Sequence, residues 1–121
     1  MIFRDRADLV GTDRDVHHRN YRTVRLLLEQ DPAPVSLTDI TLVPGVEDVY
    51  GYPDRTEIAY CISGAAVVVD LDTGTRRTIG PGVLWIAPAG SRFTFLASEP
   101  TRLICVFDPP LRGDETGIVE P

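Results

Sequence analysis

Glu57 is the side chain in this 121-residue sequence whose type and setting point most directly to chemistry. It opens the run Glu57-Ile58-Ala59-Tyr60-Cys61, in which a carboxylate sits among apolar neighbours. Glutamate is rarely buried unless it is paired or used, so Glu57 reads as a general acid or base, or as half of a salt bridge to Arg25 or Arg92. Desolvation would raise its pKa toward neutrality and suit it to proton transfer, whereas an adjacent arginine would lower it. Cys61 and Cys105 lie inside apolar runs, not in a short spaced framework, and are expected as buried thiols in a reducing compartment. His17 and His18 are sequence neighbours, so on a strand they face opposite ways and match no metal-ligand spacing.

The elements that must position these groups are short and β-rich. Runs of strand-forming residues cover 21–29, 35–43, 57–62, 65–71, 75–79, 83–87, 92–96 and 102–107. Between them stand Pro44-Gly45, Asp72-Thr73-Gly74, Gly80-Pro81-Gly82, Pro88-Ala89-Gly90 and Pro109-Pro110, whose fixed or left-handed dihedrals end strands. Residues 22–30 also carry helix propensity, but Pro32 and Pro34 follow at once, and eight strands close a jelly roll. The expected fold is all-β: one small jelly-roll β-barrel over residues 1–121, with 109–121 as a C-terminal tail.

Two spacings sharpen this expectation. Gly45, Glu57 and Gly64 fall in the register of the first cupin motif, G-x5-H-x-H-x3-E-x6-G, with Gly51 and Pro53 where the motif has histidines. Gly82, Pro88 and Gly90 fall in the register of the second, G-x5-P-x-G-x2-H, with Phe93 in place of its histidine. The chain thus resembles a cupin. It further resembles the ectoine synthases, small cupin enzymes that close an acetylated diamino acid into a cyclic amidine with loss of water. Met1-Ile2-Phe3-Arg4 is similar to that family's M-I-V-R, Asn20-Tyr21-Arg22-Thr23-Val24-Arg25-Leu26 to N-W-x-S-x-R-L, Glu57-Ile58-Ala59-Tyr60-Cys61 to E-A-V-Y-C, and Cys105-Val106-Phe107-Asp108-Pro109-Pro110-Leu111 to C-V-F-N-P-P-L. By this resemblance the family's iron-binding Glu, Tyr and His fall on Glu57, Trp85 and Phe93. Trp and Phe supply no donor to iron, so no bound metal and no other cofactor is expected.

Strand alternation names the lining. Glu57 inward places Ala59 and Cys61 inward, with Ile58, Tyr60 and Ile62 outward. Phe93 inward adds Phe95, and the slot of the family's tyrosine adds Trp85, with Val83 and Ala87. The resemblance brings in Cys105 and Phe107, while Tyr21 and Arg25 belong to the N-terminal stretch that carries it. Tyr52 is placed at the rim. The expected substrate-binding set is therefore Tyr21, Arg25, Tyr52, Cys61, Trp85, Phe93, Phe95, Cys105 and Phe107, with Glu57 catalytic; the aromatic members equally read as filler of a small barrel. Asp114 and Glu115 read as a solvated acidic tail or, by the resemblance, as a tail that folds over the mouth.

A net charge of −6 and a pI near 4.7 disfavour nucleic acid and anionic membranes as partners, which leaves a small-molecule substrate and a second copy of the chain. Outward Ile58, Tyr60 and Ile62 are candidates for a homodimer face. No run of about 18 apolar residues is present and the N-terminus is charged, so the expected compartment is the cytoplasm. Three functions fit: a metal-independent cyclase or dehydratase that folds a hydrophobic biosynthetic intermediate and uses Glu57 as acid/base; a non-catalytic small-molecule-binding cupin; or ectoine synthesis by an atypical enzyme.

Overall fold

A computed structural model describes residues 1–119. After a single helical turn, α1 (Arg6–Leu9), the described residues form β1 (Asp15–His17), β2 (Tyr21–Leu27), β3 (Ser36–Leu42), β4 (Asp48–Tyr50), β5 (Thr56–Ser63), β6 (Ala66–Asp70), β7 (Arg76–Ile79), β8 (Leu84–Ala87), β9 (Phe93–Ala97) and β10 (Thr101–Asp108). One sheet has the order β1-β2-β3-β10-β5-β8 and the other β4-β9-β6-β7, with every pairing antiparallel. The non-sequential order, with β10 inserted between β3 and β5, is that of the jelly-roll barrel the sequence motifs imply. No helix among the described residues is long and apolar enough to cross a membrane.

All eight expected strands are present, with ends shifted by a residue or two, and residues 21–27 are strand. Three elements are additional: α1, β1 and β4. Each has three or four residues, too short for a period to show in sequence. Neighbours fix them instead. On β1, Asp15 holds Arg22 of β2 through Nε and Nη2 at 3.0 Å each, and β4 pairs with β9 through Tyr50 opposite Phe93.

Alternation sorts side chains between core and surface. On β5, Ala59 and Cys61 are fully buried while Tyr60 and Ile62 are exposed; on β9, Phe93, Phe95 and Ala97 are buried while Leu96 is exposed. On β10, Thr101, Leu103, Cys105 and Phe107 all face in. These inner faces meet as one hydrophobic cluster, and burying apolar surface at roughly 25 cal/mol per Å² is what holds the two sheets together.

Gly64, the last glycine of the first motif, is the most constrained turn. It has φ +101°, and a Cβ there would lie 2.5 Å from the Thr101 Cα and 2.6 Å from the Pro100 carbonyl oxygen. Gly45 also has positive φ, yet nothing lies within 4 Å of its would-be Cβ. Gly64→Ala is therefore expected to cost about 3 kcal/mol or more and lower Tm by roughly 10 °C, against about 1 kcal/mol for Gly45→Ala. Paired thermal melts check this; equal losses would mean that the approach to Thr101 contributes nothing.

Candidate active site

The site is the inside of the barrel at the end closed by the tail. From β5 comes Glu57, whose strand neighbours Ala87 on β8 and Phe107 on β10 flank it in register. Trp85 reaches the cavity from β8, Phe93 and Phe95 from β9, and Leu103, Cys105 and Phe107 from β10. β2 adds Tyr21, Thr23 and Arg25, and β3 adds Thr38, Ile40 and Leu42. Aromatic contacts stiffen this wall: Trp85 stacks on Phe95 with centroids 5.9 Å apart, Tyr50 on Phe93 at 6.0 Å, and Tyr52 meets the Phe107 ring edge-on at 5.0 Å. The cavity measures about 60 Å³. That is space for on the order of five water molecules.

Glu57 is enclosed by this wall, and its partial accessibility is to the cavity. Burial pushes its pKa up to about 7, with the Cys105 thiol beside it pulling weakly the other way. The same burial, reinforced by the Glu57 charge, raises the Cys105 thiol well above its ordinary value, so Cys105 is a neutral neighbour and not a thiolate nucleophile. Burial also raises Tyr52, and the proximity of Glu57 adds to the effect. The cavity thus holds one carboxyl group poised to exchange a proton near neutrality, beside a thiol and a phenol that keep theirs.

Neither arginine considered as a partner for Glu57 pairs with it. Arg92 is exposed, and its backbone N–H donates to Asp72. Arg25 is only 6% exposed and donates Nη1 to the Gly113 carbonyl and Nη2 to the Glu115 carbonyl at 3.1 Å. Its Nε has no acceptor, and among the described residues it pairs with no carboxylate. A buried guanidinium on the cavity wall without a counter-ion is a place for an anionic group.

The tail forms the roof. Leu111, Glu115 and Thr116 line the cavity, the Tyr21 hydroxyl donates to the Thr116 carbonyl at 3.1 Å, and the Gly51 N–H donates to the Gly117 carbonyl at 2.9 Å. Glu115 accepts from the Arg112 and Gly113 N–H groups and from Arg55 Nη1, all at 2.9 Å. Burial works to raise its pKa, but these donors win and hold it down at about 2. Of the two readings of this acidic pair, Glu115 is thus structural and folded over the mouth, while Asp114 stays exposed.

Of the residues expected from sequence, Tyr21, Arg25, Tyr52, Glu57, Trp85, Phe93, Phe95, Cys105 and Phe107 are brought together on this cavity. Cys61 is not. It does face inward and is fully buried, but it lies opposite Leu103 toward the far end of the strand, with its thiol donating to the Ser63 carbonyl at 3.3 Å. Alternation fixes the face of a strand, not the depth along it. Thr23 and Leu103 were reachable by the same alternation from Tyr21 and Cys105. For Thr38, Ile40 and Leu42 the sequence offers no anchor of phase, and Tyr50 sits on the unforeseen β4.

The donor set does not fit an iron ion. Glu57, Trp85 and Phe93 converge as the resemblance implies, yet an indole and a phenyl ring offer no lone pair, and among the described residues no cluster of three or more His, Cys, Asp or Glu side chains could hold a metal. His17 is exposed beside Asp15, and His18 stacks on Tyr21 with centroids 4.9 Å apart, so neither supplies the missing ligand.

Because the folded-state pKa of Glu57 lies above its unfolded value of 4.5, the folded protein holds this proton more tightly. The stability it contributes is complete below about pH 4.5 and is lost as pH rises through about 7, an effect of up to about 3 kcal/mol. Denaturant melts of the protein and of Glu57→Gln should therefore diverge across that window and run parallel above it. A constant difference from pH 4 to 8 would mean that the carboxyl is not desolvated.

Known proteins agree with this architecture. The ectoine synthase family profile matches residues 1–119. The L-ectoine synthase of Desulfosudis oleivorans is 36% identical over 96% of this chain and 91% of its own length, and that of Thermobifida fusca is 36% identical over 95% and 86%. The crystal structure of ectoine synthase from P. lautus superposes with a TM-score of 0.91 at 30% identity, covering 100% of this chain and 92% of that one. More distant structures, such as KdgF from Halomonas sp. at 20% identity and a TM-score of 0.65, share the fold alone. With both motifs in register, the family profile spanning all 119 described residues and a near-complete superposition on a solved member, this chain belongs to the ectoine synthase family.

Proposed function

We propose that this chain is a cyclocondensing lyase of the ectoine synthase type that closes a small, carboxylate-bearing acylated diamino acid into a cyclic amidine, with Glu57 carrying the proton traffic. The observation that carries this reading is Glu57 itself, a carboxyl whose pKa of about 7 leaves both its acid and its base form populated at neutral pH. A further feature supports a charged substrate over a long hydrophobic one: the buried Arg25 guanidinium without a carboxylate partner on the cavity wall.

The chemistry balances on that one residue. The free amine nitrogen of the substrate attacks the amide carbonyl carbon and forms the ring C–N bond, while the Glu57 carboxyl gives its proton to the carbonyl oxygen. The Glu57 carboxylate then takes a proton from the attacking nitrogen. Proton return to the hydroxyl lets water leave, and the second N–H proton is lost as C=N forms. Net, two amine protons depart with the carbonyl oxygen. Holding the ends of a short flexible chain against stacked aromatic walls removes much of the entropic part of the barrier, and the Trp85 and Phe93 faces favour the cationic character of the ring nitrogen.

The test is an assay of purified protein, treated with chelator, on the acetylated diamino acid. Cyclised product should form, and Glu57→Gln should lower kcat by about 10²-fold or more while binding persists. No product, or full activity in Glu57→Gln, would overturn the reading; recovery of the ligand unchanged from a tight complex would favour a non-catalytic binding cupin.

The same reading takes the working form as a homodimer. β8 is an edge strand, and its Leu84 and Ile86, 53% and 59% exposed, sit opposite Tyr60 and Ile58 of β5 to make an apolar outer face at one side of the barrel. Sedimentation should report a dimer, and Leu84→Glu with Ile86→Glu should return the mass of a single chain; a wild-type monomer at micromolar concentration would refute this.

A further inference from the structure

Tyr52 follows β4 and brings a phenol under the roof. Its ring meets Phe107 edge-on at 5.0 Å, and its hydroxyl ends against the bare backbone of Gly117, where a Cβ would lie 2.5 Å from the oxygen. Burial keeps this phenol protonated, and the groups that add to the effect are, in order, Glu57 on β5, Tyr21 on β2, Cys105 on β10 and Glu115 in the roof. All four line the cavity, each from a different wall, so the oxygen they surround lies in the space between them. The hydroxyl makes no hydrogen bond among the described residues, yet it is not sealed as Trp85 Nε1 and Arg25 Nε are, and a partner the size of water reaches it. A fixed, neutral and unpaired O–H offers an occupant a hydrogen bond. We infer that Tyr52 donates this bond to the carbonyl oxygen of the substrate's acyl group and is a second catalytic residue beside Glu57.

This assignment rests on the cyclocondensation reading and deepens it. A substrate of that type brings two kinds of oxygen, carboxylate and carbonyl. The sheet order β2-β3-β10-β5 sets Arg25 three strands from Glu57, so a carboxylate held near Arg25 leaves the carbonyl oxygen for the Glu57 end, where Tyr52 has its foremost neighbour. Attack by the amine moves charge onto that oxygen, and a donor already in place in a water-poor site stabilises it without giving up its own proton. Proton transfer stays with Glu57, because the phenol holds its proton at the pH where Glu57 exchanges. Gly117 completes the arrangement, since a larger residue there would fall on the hydroxyl.

Tyr52→Phe removes one oxygen and keeps the ring against Phe107. With an unchanged thermal melt, it should lower kcat on the acetylated diamino acid by about 10²-fold and change KM by less than about tenfold. A second readout needs no turnover. The chain has four tyrosines, whose 13Cζ signals are assigned by substituting each in turn, and Tyr60 on the outer face reports the effect of solvent alone. N-methylacetamide at high concentration, and the acetylated diamino acid in Glu57→Gln, should each move the Tyr52 signal to saturation and leave Tyr60 behind. Full kcat in a folded Tyr52→Phe, or a Tyr52 signal that only tracks Tyr60 with both compounds, overturns the proposal. If N-methylacetamide moves the signal while the diamino acid neither moves it nor is cyclised, Tyr52 stands as a donor to amide carbonyls and the substrate reading falls. Turnover retained in Glu57→Gln would strike the assigned proton carrier and leave Tyr52 untouched.

Discussion

A closed antiparallel barrel gives every strand residue one of two fates, and it does so at a strict period of two. Everything particular to this molecule depends on that constraint. Because Ala59 and Cys61 must face in to fill the core, Glu57 must face in with them, whatever the cost of desolvating a carboxylate. The cost is met by protonation: the group takes up a proton at pH values where an exposed glutamate would have lost it. The reactive property of the site is thus a by-product of sheet geometry together with an apolar wall. Closely paired cations would have cancelled it, and the nearby arginines are turned instead to the carbonyls of the roof and to Glu115.

The same constraint explains how much of the protein could be read from its residues. Strands 56–63, 93–97 and 101–108 carry clean alternation bounded by glycine and proline, so their existence and inward faces were legible, and most of the cavity lining follows from them. What escaped is what alternation does not encode. Depth along a strand separated Cys61 from the cavity although its face was right. Partnering across the fold decided that Glu115 closes the roof through Arg55, sixty residues away in sequence, while Asp114 beside it remains in water. Elements of three residues, such as β4 with its Tyr50, exist because neighbours pair with them, and their own sequence carries too little pattern to announce them.

Membership of a family and inheritance of its site are separate matters here. The frame is retained over the whole chain, and in it the motif glycines Gly45, Gly64, Gly82 and Gly90 take left-handed φ at the turns between strands. The interior positions are freer, since an indole or a phenyl ring fills the space of a ligating side chain without disturbing the strands that carry it. Trp85 and Phe93, at the positions where the family resemblance implies metal ligands, form an aromatic wall and leave Glu57 in register.

The roof differs in kind from the walls. From Arg112 to Gly117 it contains no large apolar side chain, and it is held by hydrogen bonds from Tyr21, Arg25, Arg55 and Gly51. Lifting such a segment exchanges those bonds for bonds to water and bares little of its own apolar surface, so its opening carries a small heat-capacity change and little of the cooperativity of the barrel. The roof therefore belongs to a different thermodynamic regime from the fold: lifting it would follow temperature with little curvature and respond to salt and to competing hydrogen bonders, while the barrel beneath stays intact.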